Sequence, residues 1–210
     1  MNRCVVIGSS FQNDYGHINK SIKNGDYIIC ADGGYAICKK INLQPDLVIG
    51  DFDSGFLEID ESGVKKIVLP REKDLTDTLA AAEHGLEMGF KDFLFLCCTG
   101  NRFDHCFANV CALEYLADNG ARGVVADEKN MILLHGGGSV TLREDKNYKY
   151  ISVAAIDEKI TGVTYAGLIY PLNDAVLYRN RPIGISNEFI APVATVEIIS
   201  GRALIIYSRD

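Results

Sequence analysis

Several familiar motifs are missing from this chain of 210 residues, and each absence argues against a class of protein. None of the seven cysteines forms a C-x-x-C pair, so the spacing of zinc ligands is not met. The chain contains neither G-x-G-x-x-G nor a Walker A sequence, which argues against nicotinamide dehydrogenases and P-loop kinases. A G-x-S-x-G elbow is also absent, so a serine hydrolase is not expected.

The chain also has no excess of positive charge, since its net charge is −7. Nucleic-acid backbones require a basic stripe, so we expect no nucleic-acid partner. No apolar run approaches the roughly 20 residues that cross a bilayer, so we expect no membrane association. The first residues lead into a strand-like stretch without the apolar region of a signal peptide, and the cysteines are odd in number. We therefore expect a reduced, cytoplasmic protein.

The sequence does contain a regular alternation of strand-like and helix-like segments in its first part. Strands are predicted at residues 4–8, 27–31, 47–49, 64–69 and 93–97, with helices at 14–23, 34–41 and in two later segments. Such alternation predicts a parallel sheet. After about residue 128 the pattern changes to short β-rich segments at 131–135, 139–143, 150–156, 159–165, 193–199 and 203–207. These segments predict a small all-β domain.

Two aspartates, Asp51 and Asp53, follow the apolar strand at residues 47–49. Ligands of open α/β sheets bind beyond the carboxyl ends of the strands, and an extended backbone turns residues two apart to the same side. Carboxylates ~5 Å apart repel by about 3 kcal/mol at an effective dielectric near 20, and Mg²⁺ would turn that penalty into attraction. The residues alone leave two alternatives, a metal site or a turn with a helix cap.

Other polar residues follow neighbouring strands. Asp32, Gly33 and Gly34 precede a helix whose backbone N–H groups could receive phosphate. Asp74 is predicted as the N-cap of the next long helix, and Asp77 is either a third metal ligand or a first-turn residue favoured by the helix dipole.

A further cluster precedes the last predicted helix. Arg102 is suited to hold phosphate oxygens in a two-point contact, and Asp104 and His105 lie beside it. For His105, direct catalysis and a structural hydrogen bond are both left open. All these segments would meet at one edge of a parallel sheet, where open α/β sheets bind their ligands. Their polar side chains therefore predict a site there that binds phosphate groups.

A series of motifs runs through the chain in this order: Asp32-Gly33-Gly34, residues 45–54 with Asp46, Lys73-Asp74-Leu75-Thr76-Asp77, Arg102-Phe103-Asp104-His105, and residues 184–188. With this series the sequence resembles the thiamine diphosphokinase (thiamine pyrophosphokinase) family over nearly its whole length. The resemblance implies an α/β fold class, with a Rossmann-like parallel-sheet domain at residues 1–128 followed by a small C-terminal all-β sandwich domain at residues 129–210. It assigns catalysis with ATP and Mg²⁺ to the first domain and thiamine binding with dimerisation to the second.

The resemblance also implies roles for individual residues. The metal ligands for Mg²⁺, or for Mn²⁺ in its place, would be Asp51, Asp53 and Asp77. The nucleotide and catalytic residues would be Asp32, Gly33, Gly34, Asp46, Asp51, Asp74, Arg102, Asp104 and His105. Ser186 and Asn187 would bind thiamine, in a homodimer with shared active sites. Asn101 departs from the family pattern, which has a second glycine there.

The reaction that the resemblance implies is attack of the thiamine hydroxyl on the β-phosphorus of ATP, with Asp104 or Asp74 as proton acceptor. Three other interpretations stay open at this point. One is a relative that diphosphorylates another alcohol, such as a pterin. A second is a Mg²⁺-dependent phosphatase with Asp51 as nucleophile and Asp53 as acid, although that motif usually follows the first strand and here follows the third. The third is a nucleotide-binding regulator without catalysis.

Overall fold

The computed structural model describes residues 3–52, 63–70, 72, 74–100 and 102–210. The chain divides into two compact units, Met1–Glu128 and Lys129–Asp210. In the described part of the chain, no helix is long and apolar enough to cross a membrane.

The first unit is a parallel sheet with helices between its strands. Its elements are β1 (Cys4–Ile7), α1 (Gly16–Ser21), β2 (Tyr27–Ala31), α2 (Gly34–Lys40), β3 (Leu47–Gly50), β4 (Lys65–Val68), α3 (Asp77–Glu87), β5 (Asp92–Leu96), α4 (Phe103–Asp118) and β6 (Arg122–Ala126). The strand order is β4-β3-β2-β1-β5-β6, and each neighbouring pair is parallel.

The central strands are apolar throughout because helices cover both faces of the sheet. All four residues of β1 are fully buried. On one face, Ile18 of α1 and Ile37 of α2 share a core with strand residues such as Val5. On the other face, a Cβ placed on Gly85 of α3 would lie 2.7 Å from the Phe93 ring, so α3 packs directly on β5. The first unit is therefore a three-layer α/β sandwich.

The order of the strands creates a crevice. The chain adds β2, β3 and β4 on one side of β1 and then returns to add β5 and β6 on the other side. The carboxyl ends of β1 and β5 therefore flank a topological switch point, where open α/β sheets bind their ligands.

The second unit consists of two antiparallel sheets. Its strands are β7 (Asn130–His135), β8 (Gly138–Arg143), β9 (Tyr150–Ala155), β10 (Lys159–Ala166), β11 (Ala175–Tyr178), β12 (Val193–Ile198) and β13 (Ala203–Ser208). One sheet has the order β7-β13-β9 and the other β11-β10-β12-β8. Residues from both sheets, such as Ile205 and Val196, share one buried core. This is a β-sandwich, and the predicted fold class is confirmed.

The structure corrects several local predictions. Asp74 is not the N-cap of α3, because Thr76 takes that position and its hydroxyl accepts a hydrogen bond from the Leu79 N–H at 3.2 Å. The sequence predicts an apolar stripe on α4 formed by Cys106, Val110, Leu113 and Ala117. The buried face is instead rotated by about one residue, because it consists of Asn109, Ala112, Leu113 and Leu116, and Ala117 is exposed. Strands β6 and β11 were not predicted.

Candidate active site

The loops that follow β1, β2, β3 and β5 lie against one another at the carboxyl edge of the sheet. A Cβ on Gly34 would lie 2.1 Å from the Ile7 carbonyl oxygen, and one on Gly8 would lie 2.5 Å from the Cys97 carbonyl oxygen. Glycine is required where two backbones approach this closely. These contacts bring the end of β1 against the starts of the loops after β2 and β5.

Three of these loops have a residue in the left-handed region as their first or second residue. Asp32, Phe52 and Cys97 have φ values of 45°, 55° and 54°, and they follow β2, β3 and β5. Such conformations cost of order 1–3 kcal/mol each and concentrate at functional sites. The repetition of this strain after three strands marks the carboxyl edge as the candidate site.

The acidic residues predicted as metal ligands lie on two elements of this unit. Asp51 is half-buried directly after β3, and Asp77 is the first residue of α3, whose N-terminus favours a carboxylate. Asp53 lies outside the described residues. Within the described residues, no group of three or more His, Cys, Asp or Glu side chains could hold a metal ion. The set of Asp51, Asp53 and Asp77 therefore stays a prediction. Carboxylate oxygens are the donors that Mg²⁺ prefers, so the residue types fit the ion.

Arg102 and Asp104 form an exposed ion pair at the start of α4. Arg102 Nη2 lies 2.6 Å from Asp104 Oδ2, and Arg102 Nε lies 3.3 Å from Oδ1. The Arg102 hydrogen bond lowers the pKa of the Asp104 carboxyl, with a further contribution from the His105 N–H. The His105 side chain is exposed, and its backbone N–H donates to Asp104 Oδ1 at 3.0 Å. The pair therefore presents a positioned guanidinium to solvent.

Residues that were not predicted from the sequence hold the loop after β5. Gln12 Nε2 donates to the Thr99 carbonyl at 2.8 Å, and Asn109 Nδ2 donates to the Cys98 carbonyl at 2.7 Å. Both side chains are buried. The Thr99 hydroxyl also donates to Asp127, directly after β6, at 2.5 Å. A polar residue on the inner face of α4 was the available signal for Asn109, whereas nothing in the sequence marked Gln12.

Two residues implied by the resemblance lie away from the loops described above. Asp46 precedes β3 at the amino edge of the sheet, where its carboxylate accepts a hydrogen bond from the Ile28 N–H at 2.8 Å. That bond gives Asp46 a structural role, and its assignment to the nucleotide stays a prediction. Asp74 is exposed, three residues before the start of α3.

The loop with Ser186 and Asn187 lies in the second unit. Ser186 is exposed with φ 58°, and its N–H donates to Ser152 Oγ at 2.9 Å. Asn187 is 5% exposed, and its amide bonds both the N–H and the carbonyl of Tyr170, at 2.9 and 2.8 Å. Asn187 therefore fixes the loop, and Ser186 is the one of the two that is open to a ligand.

A parallel α/β sheet with carboxylates and a positioned arginine near its carboxyl edge is typical of proteins that bind phosphate-containing ligands. The model of the thiamin pyrophosphokinase catalytic domain matches residues 18–133, and that of the thiamin pyrophosphokinase vitamin B1 binding domain matches residues 139–204. The chain belongs to the thiamine pyrophosphokinase family, a family of transferases.

Individual relatives agree with this assignment. The chain is 29% identical to a thiamine pyrophosphokinase of Bacillus subtilis over 187 residues, which cover 87% of each chain. A crystal structure of the Bacillus subtilis enzyme superposes with a TM-score of 0.91 at 24% identity, covering 100% of both chains. The thiamin pyrophosphokinase of Geobacillus thermodenitrificans gives 0.88 at 25% identity, covering 100% of this chain and 98% of the other. These matches do not support the phosphatase, the pterin-directed enzyme or the regulator.

Proposed function

We propose that this protein transfers the terminal diphosphate of ATP to the hydroxyl of thiamine, giving thiamine diphosphate and AMP. The observation that carries the proposal is the exposed two-point pair of Arg102 and Asp104 at the start of α4, in a chain of this family. Planar guanidinium groups suit two-point contacts with phosphate oxygens. The reaction leaves little covalent work to the protein, so positioning and charge stabilisation supply the catalysis.

In this proposal Arg102 binds the phosphate oxygens and stabilises the charge that develops on them. The Asp32–Gly34 loop and the loop after β5 approach the end of β1, and we assign them to the nucleotide. His105 lies next to the pair and contributes its backbone N–H to the orientation of Asp104. These contacts would hold ATP at the switch point of the sheet.

We assign the divalent metal to Asp51, Asp53 and Asp77. The ion, which we take to be Mg²⁺ with Mn²⁺ as a substitute, would neutralise phosphate charge when bound. Asp51 lies directly after β3, and the half-buried Asp77 begins α3, which packs against β3. Asp51 and Asp77 are thus supplied by two elements that contact each other.

The thiamine hydroxyl must lose its proton during the transfer. Both carboxylate oxygens of Asp104 already accept hydrogen bonds from Arg102, at 3.3 and 2.6 Å, so the Arg102 guanidinium occupies this carboxylate. We therefore assign Asp104 to the orientation of Arg102 and propose Asp74, which is exposed just before α3, as the acceptor.

We further propose that the protein works in the cytoplasm as a homodimer with shared active sites. Ser186 is the thiamine-side residue in this proposal, because it is exposed and held in a strained conformation by its bond to Ser152. Asn187 supports it by tying the loop to Tyr170.

The experiment that tests the function is incubation of the purified protein with ATP, Mg²⁺ and thiamine, followed by chromatography of the thiamine species. We expect thiamine diphosphate to accumulate in step with AMP. A parallel incubation with a pterin alcohol serves as the control for the acceptor. Absence of thiamine diphosphate from a well-folded, metal-loaded sample would contradict the proposal.

A further inference from the structure

The segment that joins β5 to α4 has an unusual set of contacts. Its four successive carbonyl groups, from Cys97 to Gly100, each accept a hydrogen bond from elsewhere in the first unit. The donors are the Ser10 N–H to Cys97 at 2.9 Å, Asn109 Nδ2 to Cys98 at 2.7 Å, Gln12 Nε2 to Thr99 at 2.8 Å and Cys106 Sγ to Gly100 at 3.3 Å. Arg102 comes two residues after the end of this segment.

Two of these donors are buried side-chain amides from different parts of the chain. Gln12 lies in the loop after β1 and is 7% exposed, and Asn109 lies in the second turn of α4 and is 5% exposed. Together they join the two sides of the topological switch point to α4. They act on adjacent peptide groups, so each limits the movement that the other would otherwise permit.

The segment also needs external support. Cys97 is a non-glycine residue with φ 54°, a conformation that persists only where surrounding contacts over-determine it. The Cys98 and Thr99 carbonyls follow this residue directly. Without the two amides, the backbone would be free to relax between the end of β5 and the start of α4.

We propose that Gln12 and Asn109 are positioning residues for the transfer reaction, which hold the segment after β5 and thereby place Arg102 against the phosphates. The inference rests on the proposed function. Neither side chain needs to contact substrate. Their effect is geometric, and a misplacement of about 1 Å in a catalytic group can lower the rate by about 100-fold.

The test uses Gln12→Leu, Asn109→Leu and the double variant. Leucine is close in size to both residues and removes the amide donor. Asn119→Leu is the matched control, because Asn119 Nδ2 donates to the Tyr115 carbonyl at 2.9 Å, at the far end of the same helix. Folding is checked by circular dichroism, and rates are expressed per folded molecule. If a leucine variant does not fold, Gln12→Glu or Asn109→Asp keeps the size, removes the same donor and carries the same expectation.

We expect each single variant to lower kcat by about 10- to 100-fold while KM for thiamine stays within about twofold. The double variant should lose less than the product of the two single losses, because both amides hold one segment. Asn119→Leu should keep wild-type kcat. Wild-type kcat in folded Gln12 and Asn109 variants overturns the inference while leaving the function intact. A wild-type protein that makes no thiamine diphosphate overturns both.

Discussion

Arg102 and Asp104 are joined by two hydrogen bonds, from Nη2 to Oδ2 at 2.6 Å and from Nε to Oδ1 at 3.3 Å, although both side chains are more than 60% exposed. Exposed ion pairs contribute little to stability. The ion pair therefore contributes little to the stability of the fold, and its main effect is to orient the Arg102 guanidinium. A phosphate group that approaches this end of α4 would meet a cation whose direction is already set.

The first prediction concerns the shape of that cation. Arg102→Lys keeps the charge but loses the planar fork, so we expect kcat/KM for ATP to fall by about 100-fold. The matched control is Arg122→Lys, because Arg122 makes a similar two-point pair with Asp92 at the amino edge of the sheet, at 3.1 and 3.3 Å. Steady-state kinetics at varied ATP checks both. Equal losses in the two variants would contradict a specific role for Arg102.

The second prediction concerns pH. The pKa of Asp104 is lowered in the folded protein, chiefly by the Arg102 hydrogen bond, so any stability from the pair is present above the unfolded pKa and is lost as pH falls through the folded value. Asp104→Asn should therefore differ from wild type by a constant amount between pH 5 and pH 8, and the difference should shrink below about pH 4. Denaturant unfolding at a series of pH values measures this. A difference that changes between pH 6 and pH 8 would contradict the assignment.

The third prediction concerns the close approach of backbones at the site. Gly34→Ala places a methyl group 2.1 Å from the Ile7 carbonyl oxygen, so the end of β1 must move, and we expect a loss of about 3 kcal/mol in unfolding free energy. Gly33→Ala is the control, because its Cβ would meet only the Ser9 side chain at 3.1 Å, and we expect a change within about 1 kcal/mol. Urea unfolding of both variants measures the two losses in unfolding free energy. Equal losses would show that the contact between residue 34 and the Ile7 carbonyl does not decide stability.

The fourth prediction concerns the metal. Activity should disappear in EDTA and return with Mg²⁺ or Mn²⁺, and Asp51→Asn or Asp77→Asn should lower kcat by at least about 100-fold because each removes a proposed ligand. Mn²⁺ titration followed by calorimetry should show weaker binding in both variants. Asp14→Asn, in the loop before α1, is the control. Normal activity of the Asp51 variant in EDTA-treated buffer is the result that excludes the metal role.

Sequence patterns predicted β1, β2, β3 and β5 well, because buried parallel strands are continuous apolar runs, whereas β6 of the same unit was not predicted. Strand β2 was predicted at residues 27–31 and is found at Tyr27–Ala31. The start of α3 was misassigned, because Asp74 and Thr76 are both good capping residues. The structure distinguishes them, because the Thr76 side chain accepts the hydrogen bond from the Leu79 N–H.

The contacts of Gln12 and Asn109, which hold the loop after β5, could not be predicted from the sequence, for a physical reason. Gln12 bonds Thr99 across 87 positions of the chain, and no local pattern carries such a pairing. Asn109 was passed over because a polar residue at an inner helical position contradicts the apolar stripe until its bond to the Cys98 carbonyl is seen. For Asp46 the structure adds a role that the motif did not suggest, since its carboxylate accepts a hydrogen bond from the Ile28 N–H, and its role at the nucleotide stays a prediction.

The central claim is that two phosphoryl groups move together from ATP to thiamine. ATP labelled with radioactive phosphorus at the β position tests it most directly, because attack on the β-phosphorus carries that label into the thiamine product and leaves unlabelled AMP. We expect all of the transferred β label to be found in thiamine diphosphate, at one label per AMP formed. If the β label stays in ADP while thiamine monophosphate appears, the protein transfers a single phosphoryl group and the account is wrong.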